Sequence, residues 1–255
     1  MQAKVTLLSH TPMPEFAVAS AAKLCYSASS IDDLRNNLTE EKAEEFVDML
    51  ASLGHESPLE HVTFTFGIEN VSRTLLAQIT RHRIASYSVQ SQRYVKENDF
   101  SYVCPPEIEN NTEAKAEFEK AMRECRQHYI KIAELLEKSH IENMVANGED
   151  ERSAKRKAEK AAIEDARFVL PNACATKMVC TFNARSLLNL FSQRCCTRAQ
   201  WEIRGVANEM LRLCKEAAPH IFRMAGPACV RGKCSEGKMS CGRAAEIKKL
   251  YLKEE

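Results

Sequence analysis

Apolar positions recur along the chain with two periods, and the periods predict a mixture of strands and helices. Val5–Leu8 is a short apolar strand. After a turn at Pro12 and Pro14, Phe16, Ala19, Ala22 and Leu24 fall on one face of a helix over Glu15–Ala28, since residues three or four apart share a helical face. Thr39 opens a second amphipathic helix, in which Phe46, Met49, Leu50 and Leu53 keep that spacing and Gly54 closes the run. From His61 to Ile68 the period changes to two on β-branched and aromatic residues, which predicts a strand. Val71–Ala85 reads as a helix bearing Gln78, Arg81, His82 and Arg83. Glu113–Ala166 is helical with a break at Asn147-Gly148, and its Glu149–Lys160 stretch is charged enough to be mostly solvated. Ala175–Phe182 is a further strand, Asn183 caps a helix over Ala184–Cys196, and Arg198–Glu216 is another helix with Trp201 toward the core.

Strands and helices that mix without strict alternation favour an α+β fold with a small sheet over a doubly wound one. No internal repeat or linker separates independent domains. The chain divides into one domain over residues 1–225 and a Cys-rich C-terminal tail over 226–255. Neither GxGxxG nor a Walker sequence is present, so the two common phosphate loops are ruled out.

Composition narrows the class. With 44% hydrophobic and 28% charged residues among 255, the chain is neither disordered nor held together by disulfides alone. Lys and Arg number 36 against 35 Asp and Glu, so there is no overall polycation for non-specific nucleic-acid binding, and any anion site is a local cluster. Apolar runs are too short to span a membrane, and Met1–His10 lacks a basic start followed by an apolar stretch. Eleven cysteines, an odd number, are not the paired framework of a secreted scaffold, and a reduced, cytoplasmic setting is expected.

Candidate chemistry is densest from Arg81 through His82, Arg83 and Ser91 to Gln92, Arg93 and Tyr94. On the expected helix Arg81 and Arg83 point to opposite sides, and Gln78 shares a face with Arg81, so one element would hold two anionic ligands. Guanidinium forks match phosphate oxygens, and the Ser91 hydroxyl with nearby backbone N–H groups would complete a cradle. The competing reading is an exposed basic turn. A second cluster holds Asn183, Arg185 and Asn189, the latter two four apart on one face behind a helix start that attracts anions. Arg194, nine residues past Arg185, is expected on the other side of that helix.

His55-Glu56-Ser57-Pro58-Leu59-Glu60-His61 packs two histidines and two acids before a strand, but HExxxxH is not the HExxH spacing of a helical zinc site. No metal is assigned there. His55 is either a partner for a ring ligand or merely structural. Cys229, Cys234 and Cys241 lack a CxxC pair, which favours a reduced flexible tail over thiolate ligation of zinc or iron–sulfur, or redox switching.

Arg81-His82-Arg83, seven residues and then Ser91 reproduce the RHR-x7-S motif of the flavin-dependent thymidylate synthases. His55–Pro58, Arg167–Pro171, Asn183-Ala-Arg185-Ser, Asn189, Arg194 and Ala199–Glu202 follow in the family's order, so the chain resembles that family over most of its length. The resemblance implies reductive methylation of dUMP to dTMP, with methylenetetrahydrofolate as one-carbon donor and FAD, reduced by NADPH, as hydride carrier. It further implies a homotetramer with active sites between subunits. Carried over by position, Ser57, Arg81, His82, Arg83, Asn183, Arg185 and Asn189 would contact FAD, with His55 beside the flavin. Gln78, Arg81, Ser91, Gln92, Arg93, Arg167 and Arg194 would bind the nucleotide, and Arg194 would stabilise charge on the pyrimidine. Ser91 reads as a ligand rather than a nucleophile, because no motif places a base beside it. Two positions depart from the common pattern: Val89 stands where many members have Glu, and Gln92 where many have Gly. The rival from another class is a phosphate- or RNA-binding module using the Arg81–Arg93 cluster and Tyr94, which leaves the Asn183–Asn189 and Arg194 set without a purpose. No partnership with nucleic acid or membrane is expected.

Overall fold

The structure, a computed structural model, describes residues 2–28, 30–93 and 100–252. Its elements are, in chain order, β1 (Lys4–His10), α1 (Pro14–Leu24), α2 (Ile31–Asn37), α3 (Glu40–Leu53), β2 (Thr63–Ser72), α4 (Arg73–Ile79), β3 (Ala85–Val89), α5 (Pro106–Glu109), α6 (Thr112–Ala146), α7 (Glu151–Ala166), β4 (Ala175–Asn183), α8 (Ala184–Arg194), α9 (Trp201–Ala217), α10 (Ala228–Arg231) and α11 (Ala244–Leu252). The four strands form one sheet in the order β1-β2-β4-β3, with β1 antiparallel to β2. Helices dominate around this small sheet, which is the expected α+β class.

Two compact units share the chain. One comprises Asn70–Leu76 and Val89–Lys177 with the first two residues; the other comprises Ala3–Glu69, Ala77–Ser88 and Met178–Glu255. The chain passes from one to the other inside strands and helices, which is why no linker announces them in the sequence.

In the unit that holds most of the sheet, alternation sets the core. Phe64, Phe66 and Ile68 of β2 and Met178, Cys180 and Phe182 of β4 are buried every second residue. Phe222 meets Phe64 and Phe191 edge to face at ring separations of 5.3 and 6.0 Å, and burial of each such ring is worth about 1.5–3 kcal/mol. α3 starts where expected, with the Thr39 hydroxyl accepting from the Lys42 N–H, and it ends at Gly54 in the left-handed region at φ 73°. Its buried stripe is Ala43, Val47 and Leu50, whereas Met49 and Leu53 are exposed. Leu50 is buried as expected, but Ala43 and Val47 complete the stripe in place of Met49 and Leu53, so smaller residues face inward where α1 packs. α1 likewise ends four residues short of the expected boundary, leaving Leu24 exposed, and Trp201 sits at the exposed start of α9 rather than in the core.

The other unit is built on a hairpin of α6 and α7, broken at Gly148, whose φ of 89° ends the first helix. The charged Glu149–Lys160 stretch is solvated except for Ala154 and Ala158, which open a buried stripe, four apart, that α7 continues through Ala162 and Ala166. Phe100, Met122 and Cys174 make a small core with Tyr102, Phe118 and Leu170 packed around it. Among the described residues no helix is long and apolar enough to cross a membrane.

Candidate active site

The end of β4 becomes the start of α8 at Asn183, whose side-chain oxygen accepts the Ser186 N–H at 2.7 Å. The Ala184 N–H bonds to the Val62 carbonyl at 2.8 Å, tying the helix start to the residue before β2. Leu187, Leu188, Leu190 and Phe191 root α8 in the core. Arg185, Asn189 and Gln193, at spacing four, are left together on its exposed face.

Facing them is the stretch from Arg81 to Ile84, and here the expectation of one helix over Val71–Ala85 fails. β2 runs to Ser72, α4 ends at Ile79, and β3 begins at Ala85, so the motif arginines lie in the connection between a helix and a strand. The connection is a tight turn, with the Arg81 N–H reaching the Gln78 carbonyl at 3.3 Å and the His82 N–H reaching that of Ile79 at 3.1 Å. Tyr87 closes it: its hydroxyl, its one proton shared between two carbonyls, lies 2.8 Å from that of Ile79 and 2.9 Å from that of His82, while its ring meets Phe182 edge on at 5.7 Å. Burial pushes the Tyr87 hydroxyl's pKa up, keeping it a donor. Arg81 and Arg83 are therefore separated by a clamped turn, and opposite sides of one helix play no part.

Between turn and helix lies a cavity of about 610 Å³, lined by Arg81, His82, Arg83 and Ile84 on one side and by Asn183, Arg185, Ser186, Asn189, Gln193 and Arg194 on the other, with Glu60 at its edge. Arg194 belongs to this set and not to the far side of α8. It is the last residue of the helix, and its long side chain turns so that Nε donates to His82 Nε2 at 3.1 Å. Burial, and after it the neighbouring charge of Arg81, hold the Arg194 guanidinium below its usual pKa. Burial, then Arg194, likewise push His82 down, with a hydrogen bond to the Asn189 side chain opposing them. Arg185 has the contrary environment: Glu60, 2.5 Å from Nη1, raises its pKa, and Glu56 stands 3.7 Å from Nε.

Six expected residues thus share one cavity with Arg194: Arg81, His82, Arg83, Asn183, Arg185 and Asn189. His55 and Ser57 do not line it. His55 borders a small pocket with Glu56, Leu59 and Arg231, and Ser57 begins a short 3₁₀ turn ending at His61. Gln78 is half-buried one turn before Arg81. Ser91, Gln92, Arg93 and Arg167 fall in the other unit. There the Ser91 hydroxyl accepts the Arg93 N–H at 3.1 Å, Arg93 grips the Glu164 carboxylate at 2.7 and 3.0 Å, and Arg167 Nε donates to the Glu164 carbonyl at 3.0 Å. Gln92 Nε2 lies 3.5 Å from Cys174 Sγ. Tyr94, invoked in the RNA-binding reading, lies outside the described residues.

Glu60, Ser186 and Gln193 also line the cavity and are not among the residues expected there. Gln193 had a signal, four residues past Asn189 on the same face. Glu60 had one only in hindsight, as an acid in the His55–His61 segment whose use depends on the arginine it meets. Among the described residues no group of three or more His, Cys, Asp or Glu side chains is arranged to hold a metal. The C-terminal segment, expected to be a flexible tail, carries α10 and α11, and Tyr251 of α11 donates to Asn208 Oδ1 at 2.6 Å.

A family model described as thymidylate synthase complementing protein matches residues 6–220. The flavin-dependent thymidylate synthase of Clostridium tetani is 55% identical over 99% of this chain and 98% of its own length. That of Geobacter sulfurreducens is 48% identical over 97% of each, and that of Nitratidesulfovibrio vulgaris 47% over 94% of each. The RNA-binding alternative finds no support in these relatives.

Proposed function

This chain belongs to the flavin-dependent thymidylate synthase family, and on that premise we propose that it converts dUMP to dTMP with FAD held in the arginine-rich cavity. The observation that carries the reading is the cavity's charge. Arg81, Arg83, Arg185 and Arg194 line it against one lining carboxylate, Glu60, among the described residues, and Arg81 and Arg194 are close enough to depress a pKa by repulsion. Such crowding of like charge is relieved by an anion, and planar forks beside a capped helix start suit a diphosphate. The donor set therefore fits FAD, whose contribution when bound is to carry the hydride obtained from NADPH. In balance, dUMP, methylenetetrahydrofolate, NADPH and a proton give dTMP, tetrahydrofolate and NADP⁺.

The chain's own groups bind, orient and stabilise charge. Arg81, His82, Arg83, Asn183, Arg185 and Asn189, all lining the cavity, hold the cofactor; Ser57 and His55, which do not line it, are assigned to the cofactor by the family resemblance alone. The family resemblance assigns nucleotide contacts to Gln78, Arg81 and Arg194 and, in the other unit, to Ser91, Gln92, Arg93 and Arg167, where Glu164 already orients the Arg93 and Arg167 guanidinium groups. Arg194 is the electrostatic catalyst, favouring negative charge on the pyrimidine so that its carbon-5 becomes nucleophilic. The active unit is a homotetramer, and the reduced thiols suit the cytoplasm. The test is direct. Purified protein should retain a yellow flavin spectrum through gel filtration, have a light-scattering mass of four chains, and form dTMP only when dUMP, methylenetetrahydrofolate and NADPH are all supplied. Stoichiometric flavin without dTMP formation would overturn the reading.

Two variants probe the division of labour. Arg83→Ala should mainly weaken FAD retention, whereas Arg81→Ala should raise the nucleotide requirement and weaken FAD as well, because the Arg81 charge reaches Arg194. Each lost charge-assisted bond costs about 1.5–3 kcal/mol, roughly ten- to more than a hundredfold in affinity. Calorimetric titration with FAD and with dUMP reads both; equal losses for both ligands in both variants would mean one undifferentiated patch. A thiol nucleophile is not needed. Cys195 is buried and burial pushes its pKa up to about 12, so Cys195→Ala should keep turnover within about threefold of wild type, its cost being packing. Lost turnover with flavin and tetramer intact would restore covalent attack by a thiol.

A further inference from the structure

The cavity's ion pairs extend to the C-terminal segment, which lies beyond the residues matched by the family model. Arg231, the last residue of α10, places Nη1 2.7 Å from Glu56 Oε1. The other oxygen of that carboxylate lies 3.7 Å from Arg185 Nε, and Arg185 Nη1 is already 2.5 Å from Glu60. Arg231, Glu56, Arg185 and Glu60 thus form one alternating chain ending at a cavity arginine.

Arg231 is held there by close packing. A Cβ on Gly226 would come within 2.8 Å of Tyr251 Cδ1 and 2.9 Å of Val230 Cγ2, so only glycine lets α11 lie against the start of α10. Tyr251 is fixed in turn by Asn208, and Lys215 Nζ donates to its carbonyl at 2.7 Å. Val230, the neighbour of Arg231, is buried. The segment is a clamp that sets one guanidinium on Glu56, outside the cavity lining but within ion-pair distance of its Arg185.

We propose that Arg231 is a positioning residue for the cofactor site: by engaging Glu56 it keeps that carboxylate from closing on Arg185, leaving Arg185 available to an anionic group of the cofactor. The inference rests on the reading that Arg185 binds such a group. Without Arg231, the Glu56 carboxylate loses its closer partner and its charge, already 3.7 Å from Arg185, is left to a guanidinium that is paired with Glu60. Anion binding weakens in consequence, although no residue touching the ligand has been changed.

The experiment measures FAD affinity by quenching of flavin fluorescence in wild type, Arg231→Ala, Glu56→Gln, Arg185→Ala and the double variant Arg231→Ala with Glu56→Gln. These groups are half-exposed, so the effect is modest and sensitive to salt. Arg231→Ala should bind roughly fivefold more weakly at low ionic strength, with the difference shrinking at about 0.5 M salt. The double variant should return to within about twofold of wild type, because the neutral amide that Glu56→Gln introduces has no charge to bring to Arg185. A merely structural role for Arg231 gives no such rescue. A double variant as weak as Arg231→Ala, or an Arg231→Ala protein that binds like wild type, overturns the proposal. Unchanged affinity in Arg185→Ala would instead overturn the assignment of Arg185, so the two failures are distinguishable.

Discussion

Arg194→Ala should lose dTMP formation by about 100-fold or more while keeping its fold and its flavin, the scale on which removal of one preorganised donor is felt. Three features of Arg194 lead to this magnitude. Its guanidinium is part-buried at the end of α8, so its interactions are less screened than at the surface. Its orientation is fixed by the bond from Nε to His82 Nε2, leaving the terminal nitrogens for a ligand. Among the described residues no carboxylate pairs with it, and the nearby charge is Arg81, so its positive charge is uncompensated until negative charge develops on a bound pyrimidine. An interaction that strengthens as charge builds lowers the barrier rather than merely tightening binding. Arg194→Lys keeps the charge but loses the planar fork, and should fall between wild type and alanine. Steady-state turnover with flavin occupancy measured on the same samples checks this, and near-normal turnover in Arg194→Ala would remove the residue from the mechanism.

Much of this site was legible because it depends on local chemistry. An Asn between a strand and a helix is a cap, and its place at the end of β4 put Arg185 and Asn189 on one face without any tertiary information. The turn carrying Arg81–Arg83 was not legible as a turn. Ala85-Ser-Tyr-Ser-Val89 has strand period, half-buried and exposed by turns, but the preceding helical spacing ran into it and masked the break. The turn after Ile79 is closed by the Tyr87 hydroxyl on the Ile79 and His82 carbonyls, a side-chain contact that helical spacing does not report. The same limit applies to Arg194, since rotation along α8 places its Cα on the far side and only its reach to His82 brings it back. Glu60 and Arg231 show the limit most clearly, because their roles are defined by partners 125 and 175 residues distant in sequence.

His82 should impose an acid limit on the reaction, displaced below the ordinary histidine range, and its removal should cost about 10- to 100-fold in turnover. For Nε2 to accept from Arg194 the ring must be neutral with its proton on Nδ1. Burial and the Arg194 charge both favour that neutral state. Protonation takes away the lone pair and sets a cation against Arg194. The sign for stability follows: a histidine whose folded pKa lies below its unfolded value of 6.5 adds stability that is present above pH 6.5 and is lost as pH falls through the folded pKa. For catalysis, kcat/KM should decline on the acid side with an apparent pKa below 6.5, because Arg194 loses its orienting partner there. His82→Phe lacks the acceptor at every pH and loses one charge-assisted bond, worth about 1.5–3 kcal/mol, so its turnover should be uniformly low and without that acid limb. His82→Gln supplies a carbonyl oxygen that does not titrate; it should recover part of the activity and hold it to lower pH than wild type. A His82→Gln profile with the wild-type acid limb would assign the titration to another group and leave His82 a packing residue beneath Arg194.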